Sequence, residues 1–397
     1  MNILFINNFD VSPNTGGVNR ITYTLSRKFK EAYKAGCFLG FFEDNVPPAD
    51  FDAKIKLSKP FNHAQFEEFL LKYKIDVVQI NFLKKYNTGA IPHIYGVAHK
   101  NNIRVISCFH MSPGFELFTY SNLAKTVFAI RHRKDVGAEL RKLLICWIAP
   151  FIKHISHLLL RPKYRTQYLN CDKVVVLSPG YVKPYAKQAG AKSTDKICAI
   201  GNALTFDEFI TNEEIRLKQK EVLIVARLEE HTKRLSLALK IWKQIEKNEA
   251  LKDWQLTIVG DGKDYEFYQN VTKKLKLKRC RFEGRQYPLS YYKRASVFMM
   301  TSAAEGWPMT LMEAEQMGVV TVAFNSYYSL TDIISDKVNG VIVPNNNIRA
   351  FTQALTDLML NNEQRMAMAE KAVESSKRFT QESVAKQWIN LYNSHGE

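Results

Sequence analysis

Two glutamates, Glu305 and Glu313, stand on either side of a Gly-Trp-Pro break in the segment TSAAEGWPMTLMEAEQMGVVTVAF, residues 301–324. The residue before a proline is biased away from the helical region, and proline itself is well tolerated at the first helical position. A helix is therefore predicted to start at Pro308. Glu305 then lies in the loop before the helix and Glu313 lies inside it, so the two carboxylates are expected to have different tasks.

The start of this predicted helix has the chemistry of an anion site. The first amides of a helix lack partners within it and proline contributes none, so the open donors are those of Met309, Thr310 and Leu311. Trp307, in the capping position, has no side-chain oxygen to accept from them, and the chain reaches them through Gly306. Open amides at the positive end of a helix favour a phosphate. The alternative is an ordinary helix start with water on its amides and two surface glutamates.

Short apolar runs that alternate with amphipathic helical patterns must position these residues. The alternation starts with NILFIN and continues to IRVISCF, and it begins afresh after Asn202 with EVLIVAR and continues to GVIVP. Such repeated strand and helix patterns predict parallel sheets with helices on both faces. The sequence therefore predicts an α/β fold with two doubly wound Rossmann-like domains, 1–200 and 201–378. Because ligands of such sheets lie beyond the carboxyl ends of the strands, a large substrate is expected in the cleft between the domains.

Length and composition agree with a globular chain of this kind. The chain has 397 residues, of which 46% are hydrophobic, enough for two domains with cores of their own. The start, MNILFINNF, reads as a first strand rather than a signal peptide, and no apolar run approaches the roughly 20 residues of a membrane helix. A cytoplasmic protein is expected. The six cysteines form no CxxC or His/Cys cluster, so reduced thiols are expected rather than disulfides or a metal site.

The charge balance predicts an anionic partner. Lys and Arg number 56 against 39 Asp and Glu, a formal net charge of +17. Such an excess suits nucleic acid, a phosphorylated substrate or an acidic membrane surface. The sequence has neither zinc-finger spacing nor the aromatic strand motif of RNA-recognition domains, so nucleic acid is not an expected partner.

One basic segment, 115–170, interrupts the alternation. It holds 10 Lys and Arg against 3 Asp and Glu, and Arg141 and Lys142 lie beside an apolar stripe at helical spacing that includes Trp147. Basic residues next to such a stripe suit a helix that lies on an anionic lipid surface. Alternatively, the stripe faces the core of its own domain and the charges are solvated.

Four motifs together resemble the retaining glycosyltransferases of family 4, which have the GT-B fold. The spacing of Glu305 and Glu313, with seven residues between them, resembles the EX7E signature of that family. Three further motifs occur in the family's order and spacing: VARLEEHTKR with Arg227 and Lys233, NTGGVNR with Gly16 and Gly17, and ISCFHMS with His110. The resemblance covers nearly the whole chain and is strongest over 222–344. It implies two Rossmann-like domains facing across a cleft, with a terminal helix over 379–397 that crosses back to the first domain.

The resemblance implies a role for each matched residue. Arg227 and Lys233 would hold the donor diphosphate, Glu313 would accept from ribose hydroxyls, and Glu305 would accept from hydroxyls of the transferred sugar. His110 would bind the sugar near its reacting face. In the family the departing phosphate helps to deprotonate the acceptor, so neither a dedicated base nor a cofactor or metal is expected.

The remaining site residues follow from the same motifs. Gly16 and Gly17 would let backbone approach the donor phosphate or the acceptor, and Arg20 in the same motif is placed on the acceptor side. Arg285 lies in FEGRQ, where the family forms its base pocket. Gly306 and the amides of residues 309–311 complete the donor site.

The function predicted by the resemblance is transfer of a sugar from a nucleotide-sugar, with a UDP-sugar as the first choice, to a glycan or lipid-linked acceptor in surface polysaccharide synthesis. The enzyme would be cytoplasmic or peripheral at the inner face of the cell membrane. Two alternatives stay open: a soluble transferase with a small-molecule acceptor, and a nucleotide-sugar-binding protein without turnover. An NAD-type enzyme is not expected, because NTGGVNR lacks the GxGxxG pattern after the first strand.

Overall fold

The computed structural model describes residues 1–12, 16–45, 49–82, 85–114 and 160–394. The chain divides into two compact units, Met1–Ala203 with Gln381–Glu397, and Leu204–Thr380. The junction lies three residues beyond the predicted one at 200/201, and the return to the first unit lies two residues beyond the predicted start at 379. The basic segment with Arg141, Lys142 and Trp147 lies almost wholly outside the described residues.

The first unit is built on a parallel sheet of seven strands in the order β3-β2-β1-β4-β5-β6-β7. The strands are β1 Asn2–Phe9, β2 Gly36–Glu43, β3 Lys54–Lys56, β4 Val77–Phe82, β5 Arg104–Phe109, β6 Lys173–Val176 and β7 Ile197–Ala199. The α-helices are α1 Gly17–Tyr33, α2 His63–Lys72, α3 Ile91–Lys100, α4 over residues 160–169, and α5 Val182–Ala189. Short 3-10 turns cover Lys85–Ala90 and Pro179–Tyr181. Six consecutive residues of β1 and of β2 are buried, as expected for strands covered on both faces.

The second unit is built on a parallel sheet of six strands in the order β10-β9-β8-β11-β12-β13. The strands are β8 Gln219–Val225, β9 Gln255–Val259, β10 Cys280–Gly284, β11 Ala295–Met300, β12 Val320–Asn325 and β13 Gly340–Pro344. The first α-helices are α6 Asn212–Arg216, α7 Glu230–Lys233, α8 Leu235–Ile245, α9 Tyr265–Leu275 and α10 Leu289–Arg294. The others are α11 Met309–Gln316, α12 Ser329–Ile333, α13 Ile348–Leu360 and α14 Asn362–Ser376, with 3-10 turns at Glu249–Leu251 and Lys377–Phe379.

The strand order of the second unit marks a place for a ligand. From β8 the chain proceeds outward to β9 and β10 and then returns to the other side of β8 as β11. Ligands of open parallel sheets bind beyond the carboxyl ends of the strands where the order reverses in this way. The loops that follow β8 and β11 are therefore the expected binding loops.

A final helix, α15 Gln381–Asn393, belongs to the first unit. Its Tyr392 is buried, packs edge-on against Phe29 of α1, and donates a hydrogen bond to Oε1 of Gln79 in β4. The Arg104 guanidinium donates to the carbonyl oxygen of Tyr392 at 2.9 Å, which satisfies an acceptor at the end of the helix. In the described part of the chain, no helix is both long enough and apolar enough to cross a membrane.

Candidate functional site

An ion pair joins the two binding loops of the second unit. Nζ of Lys233, at the end of α7, lies 2.6 Å from Oε1 of Glu305, in the loop between β11 and α11. Both side chains are largely buried, with 21% of Lys233 and 13% of Glu305 exposed. A short charge-assisted contact in such surroundings is less screened than a surface pair. The sequence predicted functions for both residues, and the structure brings them together at the ends of neighbouring strands.

The backbones of the same two loops are also bonded to each other. The amide of Ala303 donates to the carbonyl oxygen of Thr232 at 2.7 Å, and Oγ1 of Thr301 donates to the carbonyl oxygen of Lys233 at 2.9 Å. Arg234, the next residue, donates to the carbonyl oxygens of Thr301 and Ser302. These bonds fix the position of the backbone from which the Lys233 side chain extends.

The start of α11 differs in detail from the prediction. The helix begins at Met309, because Pro308 is extended, with ψ at 95°, and acts as the capping residue. The amide of Leu311, predicted to be open, donates to the carbonyl oxygen of Pro308 at 3.0 Å. The amides of Met309 and Thr310 have no partner among the described residues. Two open donors therefore remain at the positive end of the helix, rather than three.

A small pocket lies between these groups within the second unit. Its free volume is only about 10 Å³, and its walls combine the ends of β8 and β11 with the first residues of α8 and α11. Lys233, Thr301, Ser302 and Thr310 supply its polar lining. An ammonium group and a helix start beside one pocket form a seat for an anion.

Trp307 does not line this pocket. Its indole is 8% exposed, its Nε1 lies 2.8 Å from Sδ of Met312, and its ring packs edge-on against Phe379. The indole therefore anchors the helix start to its own unit. Gly306 joins this anchored residue to Glu305.

Glu313 is buried inside the unit rather than exposed on the helix surface. It is 1% exposed; its Oε1 accepts from Oγ1 of Thr205 at 2.6 Å, and its Oε2 lies 3.2 Å from the hydroxyl of Tyr292. The Tyr292 hydroxyl also lies 3.1 Å from the carbonyl oxygen of Thr310. Each carboxylate oxygen can accept more than one hydrogen bond, so this arrangement orients Glu313 and leaves it able to accept from a ligand.

Arg227 extends from the loop after β8. Its side chain is 71% exposed, and its nearest carboxylate oxygen, on Glu229, is 3.9 Å away. The loop is held in place by GDG, residues 260–262, whose glycines are required for close packing. A side chain on Gly260 would collide with the carbonyl oxygen of Ala226, and φ of Gly260 is +142°. Arg227 is therefore an exposed cation on a fixed loop, suited to contact an arriving phosphate.

Glu230, the first residue of α7, is held by hydrogen bonds from the two helices that follow, α8 and α9. Its carboxylate accepts from the amide and hydroxyl of Ser236 and from the hydroxyl of Tyr268, at 3.0 Å in the last case. Burial raises the pKa of Glu230, although these hydrogen bonds act in the opposite direction. Neither Glu230 nor Arg234 was predicted as a site residue.

A second buried glutamate, Glu315, stands two residues beyond Glu313. It is fully buried; Oε1 accepts from Nδ2 of Asn339 at 2.8 Å, whereas Oε2 has no hydrogen-bond partner in the described ranges. Burial raises the pKa of Glu315 well above its ordinary value of 4.5, and the charge of Arg378 only partly opposes this. Burial therefore favours the neutral form of this carboxyl group.

This neutral carboxyl predicts a pH-dependent effect of Glu315→Gln. Because the pKa is raised in the folded state, Glu315 contributes fully to stability below pH 4.5, and the contribution falls as pH rises towards the folded pKa, by about 1.4 kcal/mol per pH unit. The glutamine cannot ionise, so the variant should gain stability relative to wild type between pH 5 and pH 8. Denaturant unfolding of both proteins at the two pH values measures this. An equal difference at both would contradict the assignment.

In the first unit, the predicted residues lie at the carboxyl ends of β1 and β5. Gly16 has a positive φ of 61°, and Gly17 is the first residue of α1. The Arg20 amide bonds the Gly16 carbonyl oxygen. His110 follows β5; burial lowers the pKa of its imidazole to about 4, and its buried Nε2 has no hydrogen-bond partner among the described residues. His110 therefore presents a neutral ring with one unused nitrogen.

Other predictions on binding groups stay untested. Arg285 follows β10 and is exposed. Across the described ranges, no three His, Cys, Asp or Glu residues are grouped as a metal site would require. Five cysteines are described and none forms a disulfide: Cys37, Cys108, Cys171, Cys198 and Cys280.

Comparison with known families finds a match within the second unit. A family model, glycosyl transferases group 1, matches residues 205–375, from the partner of Glu313 through both binding loops. This part of the chain is therefore similar to glycosyltransferases of that family. A structure of Anabaena Alr3699/HepE in complex with UDP and glucose aligns over the full length of both chains, with a TM-score of 0.71 and 15% identity. The chain therefore has the GT-B fold, with two Rossmann-like units.

Two relatives extend the comparison beyond the second unit. An uncharacterized glycosyltransferase of Haemophilus influenzae is 30% identical over 224 residues, which are 56% of this chain and 61% of the relative. The amylovoran biosynthesis glycosyltransferase AmsD of Erwinia amylovora is 24% identical over 396 residues, which are 96% of this chain and 97% of the relative. The match thus spans less than two thirds of the first relative and nearly all of the second.

Proposed function

We propose that this chain is a retaining glycosyltransferase that moves a sugar from a nucleotide-sugar, with a UDP-sugar as the first choice, to a glycan or lipid-linked acceptor in surface polysaccharide synthesis. The observation that carries the proposal is the Lys233–Glu305 pair beside the open amides of Met309 and Thr310. That arrangement places positive groups for a diphosphate next to an acceptor for sugar hydroxyls. The choice of UDP is supported by HepE, which has a similar fold and was solved with UDP and glucose.

In this proposal the donor diphosphate lies over the small pocket, between Lys233 and the start of α11. The bond between the sugar and the diphosphate breaks as negative charge gathers on the departing nucleoside diphosphate. The Lys233 ammonium and the two amides would stabilise that charge, an effect that is large in a preorganised and partly buried site. Arg227, exposed on its fixed loop, would add a second cation. Glu305 would hold hydroxyls of the sugar, and Glu313 those of the ribose.

Retention of configuration rests on the resemblance to family 4. A retaining hydrolase that works through a glycosyl-enzyme would need two carboxyl groups about 5 Å apart across one bond. Here the carboxylate of Glu313 is oriented by the hydroxyls of Thr205 and Tyr292. A role for the departing phosphate in deprotonating the acceptor fits this arrangement, and no residue has to act as the base.

Hydrolysis of the donor in the absence of acceptor gives a test that does not need the acceptor to be known. The protein would be incubated with UDP-glucose, UDP-galactose, UDP-N-acetylglucosamine and GDP-mannose, and the released sugar followed by NMR before its anomers equilibrate. We expect one UDP-sugar to release the anomer of the donor. Initial release of the opposite anomer would exclude retention, and no release from any donor would favour the nucleotide-sugar-binding protein without turnover.

The acceptor is the second part of the proposal, and AmsD, which matches both units and is named for amylovoran biosynthesis, supports a glycan product. Attachment to an anionic membrane surface is proposed from the net charge of +17 and from the basic segment with Arg141, Lys142 and Trp147. A soluble transferase acting on a small molecule is the alternative.

Liposome flotation distinguishes these two acceptor classes. We expect the protein to float with anionic liposomes at low salt and to stay behind with neutral ones, since each basic residue near such a surface contributes about 1 kcal/mol and salt screens it. The double charge reversal Arg141→Glu with Lys142→Glu should reduce flotation, whereas the same reversal at Lys273 and Lys274 in α9 is the matched control. Equal flotation of both variants would contradict the role of Arg141 and Lys142, and an absence of flotation with wild type would favour the soluble enzyme.

A further inference from the structure

Arg234 has a backbone conformation that its residue type disfavours. Its φ is +50° and its ψ is 41°. This is the left-handed region, which glycine adopts readily and residues with larger side chains adopt rarely. It stands between α7, which ends at Lys233, and α8, which begins at Leu235. A conformation of this kind persists only where the surroundings over-determine it, and it often marks a functional position.

The side chain of Arg234 supplies that constraint through four hydrogen bonds. Nε donates to the carbonyl oxygen of Thr301 at 2.8 Å, and Nη2 donates to that of Ser302 at 2.7 Å. Nη1 donates to Oδ1 of Asn345 at 3.0 Å and to Oδ1 of Asn346 at 2.7 Å. The planar guanidinium is thus bonded to the loop after β11 on one side and to the loop after β13 on the other.

The same group also covers the end of the strand between them. The guanidinium carbon lies 5.5 Å from the ring centre of Phe324 in β12, a cation–π distance. Burial lowers the pKa of Arg234 to about 10, so the side chain stays charged at neutral pH. One residue therefore joins the carboxyl ends of β8, β11, β12 and β13, which is the edge of the sheet that carries the candidate donor site.

We propose that Arg234 is a positioning residue that holds Lys233 and Glu305 in register for the donor diphosphate. Lys233 has a long, flexible side chain, and its placement depends on where its backbone is fixed. The bonds from Arg234 to Thr301 and Ser302 tie that backbone to the loop that leads into Glu305. The inference rests on the proposed function, because it assigns Arg234 an effect on nucleotide binding without contact to the nucleotide.

Substitution of Arg234 by glycine separates the effect of its left-handed backbone from the effect of its side-chain hydrogen bonds. Arg234→Gly keeps the left-handed backbone without strain and removes all four hydrogen bonds, whereas Arg234→Ala removes the bonds and keeps the strain. Arg234→Lys keeps the charge but replaces the planar fork by a single ammonium, which does not reach both loops in the same way. The matched control is Arg349→Gly, at an exposed arginine in the first turn of α13.

The test combines UDP titration with amide hydrogen exchange, both far below the unfolding temperature. Arg234→Gly should bind UDP about 10-fold more weakly, because a displaced Lys233 would lose its charged hydrogen bond to the diphosphate and such a bond is typically worth that much or more. Exchange should quicken over 230–234, 301–305 and 345–347 and stay unchanged in the first unit. Arg234→Lys should lose affinity in the same direction, and it serves as the folded variant if the glycine variant does not fold. Arg349→Gly should match wild type in both measurements.

The outcomes separate this inference from the proposed function. If wild type binds UDP and the Arg234 variants bind it equally well, Arg234 is not a positioning residue and the proposed function stands. A lower unfolding temperature with unchanged UDP affinity would make the role structural and would also overturn the inference. If wild type binds no nucleoside diphosphate, the proposed function fails and the assignment of Arg234 fails with it.

Discussion

Replacing Lys233 by alanine is expected to lower kcat/KM for the nucleotide-sugar by about 10²- to 10³-fold, the usual cost of removing one preorganised group that stabilises charge in the transition state. The expectation follows from the position of the ammonium. It lies at the mouth of the pocket beside α11, is 21% exposed, and is held by a backbone that is bonded on both sides. Release of nucleoside diphosphate, followed at several donor concentrations, measures the change in kcat and KM separately.

The matched control for this variant is Lys240→Ala. Lys240 is exposed on α8 of the same unit, so its loss removes one positive charge without touching the pocket. We expect its kcat/KM to stay within about 3-fold of wild type, as for most surface substitutions. Equal losses in the two variants would mean that net charge, rather than the position of Lys233, governs donor binding.

The second large effect is expected from Glu305→Gln, which should reduce turnover by about 10²- to 10³-fold while the affinity for UDP stays close to that of wild type. The reason is that Glu305 is assigned to the sugar, which UDP lacks. The glutamine has the same size and still accepts a hydrogen bond from Lys233, so folding should be preserved. Single-turnover kinetics and UDP titration on the same preparation separate the two quantities.

Glu313→Gln is the contrasting variant, because Glu313 is assigned to the ribose that UDP and the donor share. We expect its UDP affinity to fall about 10-fold, since a charged acceptor is replaced by a neutral one. Tyr292→Phe removes a neighbour of Glu313 and leaves the carboxylate in place, so a much smaller loss is expected. If Glu305→Gln and Glu313→Gln lose UDP affinity equally, the assignment of sugar and ribose to the two glutamates is wrong.

Four of the seven strands of the first sheet, β1, β2, β4 and β5, and all six strands of the second sheet were predicted, because their signal is local. Runs such as NILFIN and EVLIVAR are apolar enough to be buried on both faces, and the helical patterns between them imply parallel pairing. The helix after the Gly-Trp-Pro break was predicted within one residue. The hydrogen bond of the Leu311 amide was not predicted, because it joins the Pro308 carbonyl oxygen in a tight turn that composition does not reveal.

The contacts within the candidate site are of a different kind. Glu313 meets Thr205, which is 108 residues away in the sequence, and Lys233 meets Glu305 at a separation of 72 residues. Periodicity predicts which face of an element is buried, but it does not give the partner of a particular side chain. The motifs of the sequence indicated Lys233, Glu305 and Glu313 as separate residues. Contact between Lys233 and Glu305 becomes visible only in the folded structure.

Arg234 shows where a signal in the sequence was available but not sufficient. The pair Lys233–Arg234 falls between a short helix and a longer one, where a left-handed residue is needed and glycine is the usual choice. Lys34 and Lys276 have the same left-handed conformation at helix ends, so the residue type alone does not distinguish Arg234. The bonds of its side chain, to residues 301–302 and 345–346, become visible only in the folded unit.

The central claim is that the edge of the second unit, around Lys233, binds the diphosphate of a nucleotide-sugar. The most direct measurement is thermal unfolding of wild type and Lys233→Ala with UDP and with UDP-sugars. A ligand that binds only the folded state, at 100 times its Kd, should stabilise wild type by about 2.7 kcal/mol. We predict a clear rise in Tm for wild type and a rise near zero for Lys233→Ala at the same concentration. An absent rise in wild type, or the same rise in both proteins, would contradict the claim.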